Sequence, residues 1–153
     1  MRGPRKTSIA RVVVSIAPFG SALQIQSIGL RYEVLRKPLG LVFEKGDLLN
    51  EGKEIHLVYS QGPLVVGCML LKPIDNSILK MRQVAVDEQH QQKGIGKALA
   101  QYAENYALEN GYQKIELHAR ETAVPFYLSM NYIIEGERFE EVGIPHFRMW
   151  KNI

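Results

Sequence analysis

The sequence predicts one mixed α/β domain, in which an antiparallel meander is followed by alternating strands and helices. Three short β-branched runs follow one another between residues 55 and 86, separated by turn residues, which is typical of an antiparallel meander. The hydrophobic period becomes helical at Ile95, and strand and helix patterns alternate from there on. Single domains usually contain about 100–200 residues. No linker or repeat divides this chain, so residues 1–153 are expected to form one unit.

A strand, a helix and a long loop are predicted ahead of the meander. Residues 11–16 are β-branched and predict a strand that ends before Pro18. Residues 21–36 predict a helix with Ser21 as its N-cap, because apolar residues recur near the helical period. These residues are Leu23, Ile25, Ile28, Leu30, Val34 and Leu35. Residues 41–54 are polar and contain glycines, which favours a long loop, and such loops are often functional.

The remaining elements are predicted in the order β-β-β-α-β-α-β-β. Residues 55–60 and 64–71 form a hairpin through a turn at 61–63, and a third strand covers 78–86. The helix from Ile95 ends at Asn110 and Gly111. Its apolar face is formed by Ile95, Leu99, Tyr102, Ala103, Tyr106 and Ala107. A strand at 114–119, a short helix from Thr122 as N-cap to about residue 130, and strands near 132–136 and 147–151 follow.

Composition excludes several classes of protein. Hydrophobic residues at 46% and charged residues at 23% are ordinary globular values, which excludes a disordered chain and a coiled coil. The single cysteine, Cys68, excludes an intramolecular disulfide, and with four scattered histidines no metal site is expected. Lys and Arg outnumber Asp and Glu by 19 to 16, but the two signs are interspersed. A nucleic-acid-binding module, which would need a basic stripe with exposed aromatics, is therefore disfavoured.

No membrane segment is predicted. No apolar run approaches the roughly 20 residues that a spanning helix needs. The basic residues 1–6 and the valines at 12–14 imitate a signal peptide only weakly, because Arg11 and Pro18 interrupt the apolar stretch. The prediction is a cytoplasmic protein with a short basic tail.

The stretch from Val84 to Leu99 carries the strongest functional signal. A strand runs through a polar turn into a helix whose first turn contains Gly94 and Gly96. Free amides at a helix N-terminus form an anion site, and glycines let a phosphate approach the backbone. Lys93 and Lys97 add positive charge, which suits a pyrophosphate. Neither a dinucleotide fingerprint nor a P-loop is present. Taken alone, the two glycines are also compatible with a helix that simply starts close to a sheet.

The motif from Gln91 to Gly96 resembles the Q/R-x-x-G-x-G/A motif of the GCN5-related N-acetyltransferases (GNAT). The strand end at 84–86 and the segments 123–127 and 130–132 resemble other motifs of that family, in the correct order. Segments 30–36, 38–40 and 142–146 are similar to a bacterial subgroup related to the ElaA-like acetyltransferases. Arg120 stands where many members carry Asn, which leaves open whether it replaces that contact to the cofactor. Asn131 stands where many carry Gly, and Asn tolerates left-handed backbone.

This resemblance implies an α/β GNAT acyl-CoA N-acyltransferase fold, a mixed, mostly antiparallel sheet with helices on both faces. It also implies acetyl transfer from acetyl-CoA to a primary amine, by direct attack in a ternary complex. It implies acetyl-CoA contacts from Val84, Ala85, Val86, Gln91, Gln92, Lys93, Gly94, Ile95, Gly96 and Lys97, with a backbone amide near Val84 polarising the thioester carbonyl. Tyr127 occupies the position of the family's general acid. Glu141 and His146 are the candidates for the base that deprotonates the amine.

The acceptor side is expected to comprise the helix around Arg31, the loop near 44–54 and the segment 141–146, with Arg31 contacting the acceptor. The resemblance does not identify the acceptor, which could be a small-molecule amine or a peptide amine. It also leaves open whether the protein forms a homodimer. Cys68 lies in an apolar strand and is expected to pack in the core, and His118 favours a structural role over a functional one. The rival interpretation is a non-catalytic acetyl-CoA or CoA sensor with the same fold.

Overall fold

In the computed structural model, which describes residues 11–153, seven strands form one sheet in the order β1-β2-β3-β4-β5-β7-β6. The strands are β1 (Val12–Ile16), β2 (Ile55–Gln61), β3 (Leu64–Pro73), β4 (Ile78–Val86), β5 (Lys114–Arg120), β6 (Ile133–Glu141) and β7 (Ile144–Asn152). The helices are α1 (Ala22–Arg31), α2 (Lys45–Leu49), α3 (Ile95–Glu109) and α4 (Val124–Ser129). β4 and β5 pair in parallel and the other neighbours pair antiparallel, which confirms the predicted mixed sheet.

Helices cover both faces of the sheet, as predicted. The larger core lies beneath α3 and α4, where Leu99 and Ala103 of α3 pack on Leu71, Leu79 and Leu117 of the sheet. A smaller cluster lies beneath α1 and contains the buried residues Ala17, Val58, Val65, Cys68 and Ala85. The predicted apolar face of α3 is buried or half-buried along its length.

Helix α1 confirms the predicted start, and its apolar residues Leu23 and Leu30 are half-buried against the smaller core cluster. Its most buried face, however, is polar. The Ser21 hydroxyl accepts a hydrogen bond from the amide of Gln24, as expected of the N-cap. The side chains it buries are polar, namely Gln24, Ser27 and Arg31, whereas Ile25 is 58% exposed. The hydrophobic pattern could not predict this face, because a polar stripe is buried only where long-range partners satisfy it. After Arg31 the chain continues through a wider π-helical turn at Tyr32–Arg36.

The prediction of a long loop at 41–54 is wrong. Helix α2 and a 3-10 turn at Asn50–Lys53 occupy its second half, and Glu51 is 4% exposed. Five helical residues make little more than one turn, which is too short for a hydrophobic period to show. The buried carboxylate of Glu51 ties this segment to the body of the domain.

The C-terminal helix and strands begin and end at residues other than those predicted. Thr122 does not cap α4, because residues Glu121–Ala123 form a 3-10 turn first and Ala123 is the N-cap, with no side-chain hydrogen bond. β6 and β7 are each nine residues long and meet at a turn in which Val142 and Gly143 have φ of 49° and 76°. β6 is an edge strand exposed along most of its length, so it lacks the alternation that would have marked its full extent.

The remaining expectations concern the N-terminal residues, a membrane segment and a metal site. The basic residues 1–6 lie outside the described residues. Over residues 11–153, no helix is long and apolar enough to cross a membrane, and no three or more His, Cys, Asp or Glu are grouped so as to hold a metal ion.

Candidate active site

The sheet opens between its two parallel strands. β4 and β5 pair from Ile78 to Met81 against Lys114 to Leu117, and beyond these residues the pairing stops although both strands continue. Backbone groups on the facing edges are therefore left for a ligand to satisfy. A cavity of about 820 Å³ lies in this opening.

β4 carries a bulge at the opening. Its pairing with β3 shifts between Ala85 and Arg82, so that Gln83 and Val84 together oppose Met69. Gln83 has φ of 52°, in the left-handed region. Bulges re-aim side chains and backbone near functional sites. Val84 and Val86 line the cavity, whereas the Ala85 side chain is buried beneath α1.

The turn into α3 has the geometry of an anion site. Gly94 is the N-cap, with φ of 80°, and the preceding Gln92 has φ of 61°. The first hydrogen bond of the helix runs from the Ala98 amide to the Gly94 carbonyl, at 2.9 Å. The amides from Ile95 to Lys97 precede that bond and have no intrahelical acceptor. They stand at the positive end of the helix dipole, where negative charge is stabilised.

Most predicted residues of this turn line the cavity: Gln91, Gln92, Gly94, Ile95, Gly96 and Lys97. Lys93 is exposed and does not line it. The turn is held on the strand by its own side chains. The Gln91 amide donates to the Val86 carbonyl at 3.2 Å, and His90 Nδ1 lies 2.7 Å from Asp87 Oδ2.

Gly67 of β3 is a residue that sequence reasoning missed. A Cβ at this position would lie 2.6 Å from Ile95 Cγ2 and 3.1 Å from Leu99 Cδ1. Glycine therefore lets β3 pass directly beneath the start of α3, which places the anion-binding turn against the sheet. The available signal was a glycine inside an apolar strand, which indicates close approach of another element.

Tyr127 of α4 lies in the wall of the cavity and is 6% exposed. Its ring packs edge-on against Phe126 and Tyr132, with centroids 5.0 and 5.7 Å away. Burial raises the pKa of the Tyr127 phenol, and no charged neighbour in the described chain contributes to the shift. The hydroxyl is therefore protonated at neutral pH and can donate.

Glu141 brings two histidines together on the opposite wall. Glu141 Oε1 lies 3.0 Å from His118 Nδ1, and Glu141 Oε2 lies 3.5 Å from His146 Nε2. His146 Nδ1 lies 2.9 Å from the Ile144 carbonyl, which can only accept, so Nδ1 is the donor in this bond. A neutral His146 therefore has its lone pair on Nε2, facing Glu141, and a proton captured there would be stabilised by the carboxylate.

Glu141, His146 and His118 all line the cavity. Glu141 and His146 were predicted to lie on the same side of the site, and His118 lies beside them. A structural role was expected for His118, which follows Leu117 in a strand. It alternates with the core residues Leu117 and Ala119 and therefore faces away from α3, into the cavity.

The structure corrects the expectation for Arg31. Its side chain is 1% exposed and does not line the cavity. The two terminal nitrogens donate to both carboxylate oxygens of Glu51, at 2.8 and 2.7 Å. The guanidinium also contacts Gln83 Oε1 at 3.3 and 3.4 Å. Because Gln83 belongs to the β4 bulge and lines the cavity, Arg31 reaches the site through Gln83 rather than by touching an acceptor.

Cys68 is buried in the smaller core cluster, as predicted. Burial raises the pKa of its thiol to about 12, although the nearby Arg31 charge acts in the opposite direction. A thiol in this state supplies almost no thiolate at neutral pH, so Cys68 is not a nucleophile.

The seven-stranded mixed sheet with its open pair of parallel strands is the acyl-CoA N-acyltransferase fold. Two solved structures share it: Escherichia coli ElaA, with a TM-score of 0.77 and 21% identity over 92% of this chain and 99% of that one, and a GNAT family acetyltransferase from Elizabethkingia anophelis with acetyl-CoA bound, with a TM-score of 0.69 and 17% identity over 93% and 98%.

The sequence comparisons identify the family. The model of the acetyltransferase (GNAT) domain matches residues 43–153. The uncharacterized N-acetyltransferase YjcF of Bacillus subtilis is 29% identical over 126 residues, which cover 80% of this chain and 88% of that protein. The chain belongs to the GNAT acetyltransferase family, whose members are acetyl-CoA-dependent acyltransferases.

Proposed function

We propose that the protein transfers the acetyl group of acetyl-CoA to a primary amine by direct attack, without an acyl-enzyme. The observation that carries this proposal is that one cavity joins the anion-binding turn at α3 to Tyr127 on one wall and to Glu141 and His146 on the other. The absence of an activated thiol at Cys68, the single cysteine, agrees with direct attack.

In this proposal the turn holds the pyrophosphate of acetyl-CoA. The amides of Ile95, Gly96 and Lys97 donate to it, and the Lys97 ammonium adds charge. Lys93 and Ala85 contribute backbone only, because their side chains point elsewhere. The unpaired edge of β4 around Val84 receives the arm that carries the acetyl thioester, and an amide there polarises the carbonyl.

The reaction then balances as follows. His146 Nε2 takes a proton from the ammonium form of the acceptor, and Glu141 stabilises the imidazolium. The amine lone pair attacks the thioester carbon, the C–N bond forms, and the C–S bond breaks as the tetrahedral intermediate collapses. Tyr127 donates its proton to the departing sulfur, and the second proton that the nitrogen loses on becoming an amide restores the Tyr127 phenol. The His146 imidazolium releases the first proton to solvent, so that the products are an acetylated amine, the CoA thiol and one proton.

The experiment that tests this proposal is amine-dependent release of the CoA thiol, measured over small amines and peptide amines, with acetyl-CoA binding measured in parallel by calorimetry. The buried thiol of Cys68 adds no fast background signal in the native protein. Binding of acetyl-CoA without thiol release from any amine would contradict the proposal and favour the sensor.

Gly96→Glu is expected to weaken acetyl-CoA binding by about 100-fold or more, since it puts a carboxylate against the pyrophosphate, and tenfold corresponds to about 1.4 kcal/mol. The matched control is Gly96→Ala, whose Cβ would make ordinary contact with the Phe126 ring at 3.6 Å. We expect the control to bind within a few-fold of wild type. Calorimetry checks both, and unchanged affinity in Gly96→Glu would place the pyrophosphate elsewhere.

His146→Ala is expected to lower kcat about 10- to 100-fold at pH 7, with little change in acetyl-CoA affinity. The deficit should narrow toward pH 9, because a growing fraction of the amine, with a pKa of about 10, is then already neutral. A pH profile of thiol release for variant and wild type checks this. An equal loss of turnover and cofactor affinity would indicate damaged folding, and no loss would remove His146 from the site.

A further inference from the structure

We infer that the amine acceptor carries an anionic group, such as a carboxylate, sulfonate or phosphate, which is held by cationic side chains on the face of the sheet opposite α3. This inference rests on the proposed acetyl transfer and specifies its substrate class. It would make amino acids and similar zwitterionic amines better acceptors than polyamines or other polycationic amines.

The cations are placed by strand alternation. Leu79 and Met81 of β4 point into the core beneath α3, so Lys80 and Arg82 point to the other face of the sheet. On β5, Ala119 lies in the same core, and Arg120 therefore points away from it. Arg36, in the turn that follows α1, lines the cavity together with these three. All four are thus on the acceptor side, on the face of the sheet opposite α3, and the opening between β4 and β5 joins them to the start of α3.

Carboxylates balance this charge only in part. Glu116 lies beside Lys80 as its register partner on β5, and it acts with Glu141 against the burial that lowers the pKa of Lys80. Of the described residues that line the cavity, Glu141 is the one carboxylate, and it is already shared by two histidines. Arg82 has its own counter-ion, Glu54, outside the lining. The Arg36 guanidinium lies over the Phe43 ring at 4.6 Å, a contact that leaves its charge uncancelled.

Burial lowers the pKa of two of these cations, Lys80 and Arg120, because it disfavours their charged forms. At Lys80, Glu141 and Glu116 act only partly against this effect of burial on the pKa. At Arg120, the lowering of the pKa has no other cause among the described residues. Half-buried cations whose charged forms are disfavoured in this way gain most from an anionic ligand, which would supply the missing counter-charge.

The cationic lining continues beyond the cavity. A second cavity of about 800 Å³ shares Arg36, Lys80 and Arg82 with the first, and adds Lys53 and Lys72. Its acidic residues are Asp47, Glu51 and Glu54, of which the last two are paired with arginines. A cleft in which cations outnumber carboxylates concentrates anions and disfavours cationic ligands.

The test uses primary amines that share a chain length and differ in the charge at the far end: 5-aminopentanoate, pentylamine and 1,5-diaminopentane, with shorter and longer homologues. The readout is kcat/KM for thiol release. We expect the acid to exceed the neutral amine by about tenfold or more, and the diamine to be poorest. Raising the salt concentration should shrink this preference, because screening weakens it.

Lys80→Gln and Arg36→Gln should each reduce the acid-to-neutral ratio several-fold. Lys114→Gln is the matched control, since Lys114 lies over Trp150 and lines neither cavity, and its ratio should equal that of wild type. Acetyl-CoA affinity is measured for every variant. If Lys80→Gln weakened acetyl-CoA binding and left the ratio unchanged, the cations would serve the cofactor, and the inference would be overturned.

Two further outcomes are distinguishable. A preference for the neutral amine or the diamine overturns the inference about the acceptor but leaves acetyl transfer standing. Bound acetyl-CoA with no thiol release from any amine overturns the proposed function, and the inference falls with it.

Discussion

Tyr127→Phe is expected to lower kcat by about 100- to 10,000-fold, the range typical of general acid catalysis, with acetyl-CoA affinity little changed. The substitution keeps the ring that packs between Phe126 and Tyr132 and removes only the hydroxyl. A thiol has a pKa of about 8.5, and a buried phenol stays protonated well above that pH, so it can donate to the sulfur as negative charge develops. Steady-state kinetics with chemistry shown to be rate-limiting, together with calorimetry, check the result.

Tyr132→Phe is the matched control for this experiment. The Tyr132 hydroxyl donates to Glu104 Oε2 at 3.2 Å, and the residue does not line the cavity. Its loss should cost about 1 kcal/mol of stability and leave kcat near wild type. If Tyr127→Phe behaved like Tyr132→Phe, Tyr127 would be a packing residue and another group would protonate the sulfur.

Glu51→Gln is expected to lower the free energy of unfolding by about 3–5 kcal/mol, because it leaves the buried guanidinium of Arg31 without its counter-charge. Both partners are nearly inaccessible to water, and the pair is bidentate. Urea denaturation checks the prediction, read as a shift in midpoint at constant slope. The matched control is Glu33→Gln, which removes an exposed ion pair with Lys37 and should cost less than about 1 kcal/mol.

A double variant separates charge balance from catalysis. Arg31→Met with Glu51→Leu replaces the pair by apolar side chains, which in buried sites is often neutral or stabilising. We expect it to recover most of the stability lost in Glu51→Gln. Turnover should remain several-fold below wild type, because Gln83 of the bulge has still lost its donor. Recovery of turnover with stability would show that Arg31 has no role at Gln83, and a cost of Glu51→Gln as small as that of Glu33→Gln would contradict the buried pair.

Local patterns were sufficient for most elements. The change of period at Ile95, the hairpin residues at 61–63 and the N-cap at Ser21 each depend on a few neighbouring residues, and the structure confirms all three. Asn131 has φ of 70°, the left-handed conformation compatible with its standing where many GNAT members carry Gly. The failures have equally local causes. Helix α2 is too short to show a period, and the exposed edge strand β6 lacks alternation.

The candidate site also contains residues that a contiguous motif predicts and residues whose role depends on distant contacts. The turn from Gln91 to Lys97 is contiguous, so its residue types suggested an anion site. The resemblance of the motif to that of GNAT enzymes then favoured this site over a helix that simply starts close to a sheet. Gly67 depends on a helix that begins nearly thirty residues later, and its role appears only when the distance to Ile95 is known. Arg31 was placed at the acceptor because nothing in the sequence says that Glu51, twenty residues away, will enclose its charge.

The sequence by itself determined most of the order of elements and the candidate anion-binding turn, because these rest on short-range periodicity or on a contiguous motif. Resemblance of the motifs to GNAT enzymes indicated the family and, with it, the helices on both faces. Tertiary structure decided what depends on pairing between distant strands. It inserted β7 between β5 and β6, and so brought Glu141 to His118 and His146. It also turned Lys80, Arg82 and Arg120 to one face, where among the described residues Arg82 alone of the three forms an ion pair, with Glu54. Charge balance is a property of neighbours in space, and no local pattern encodes it.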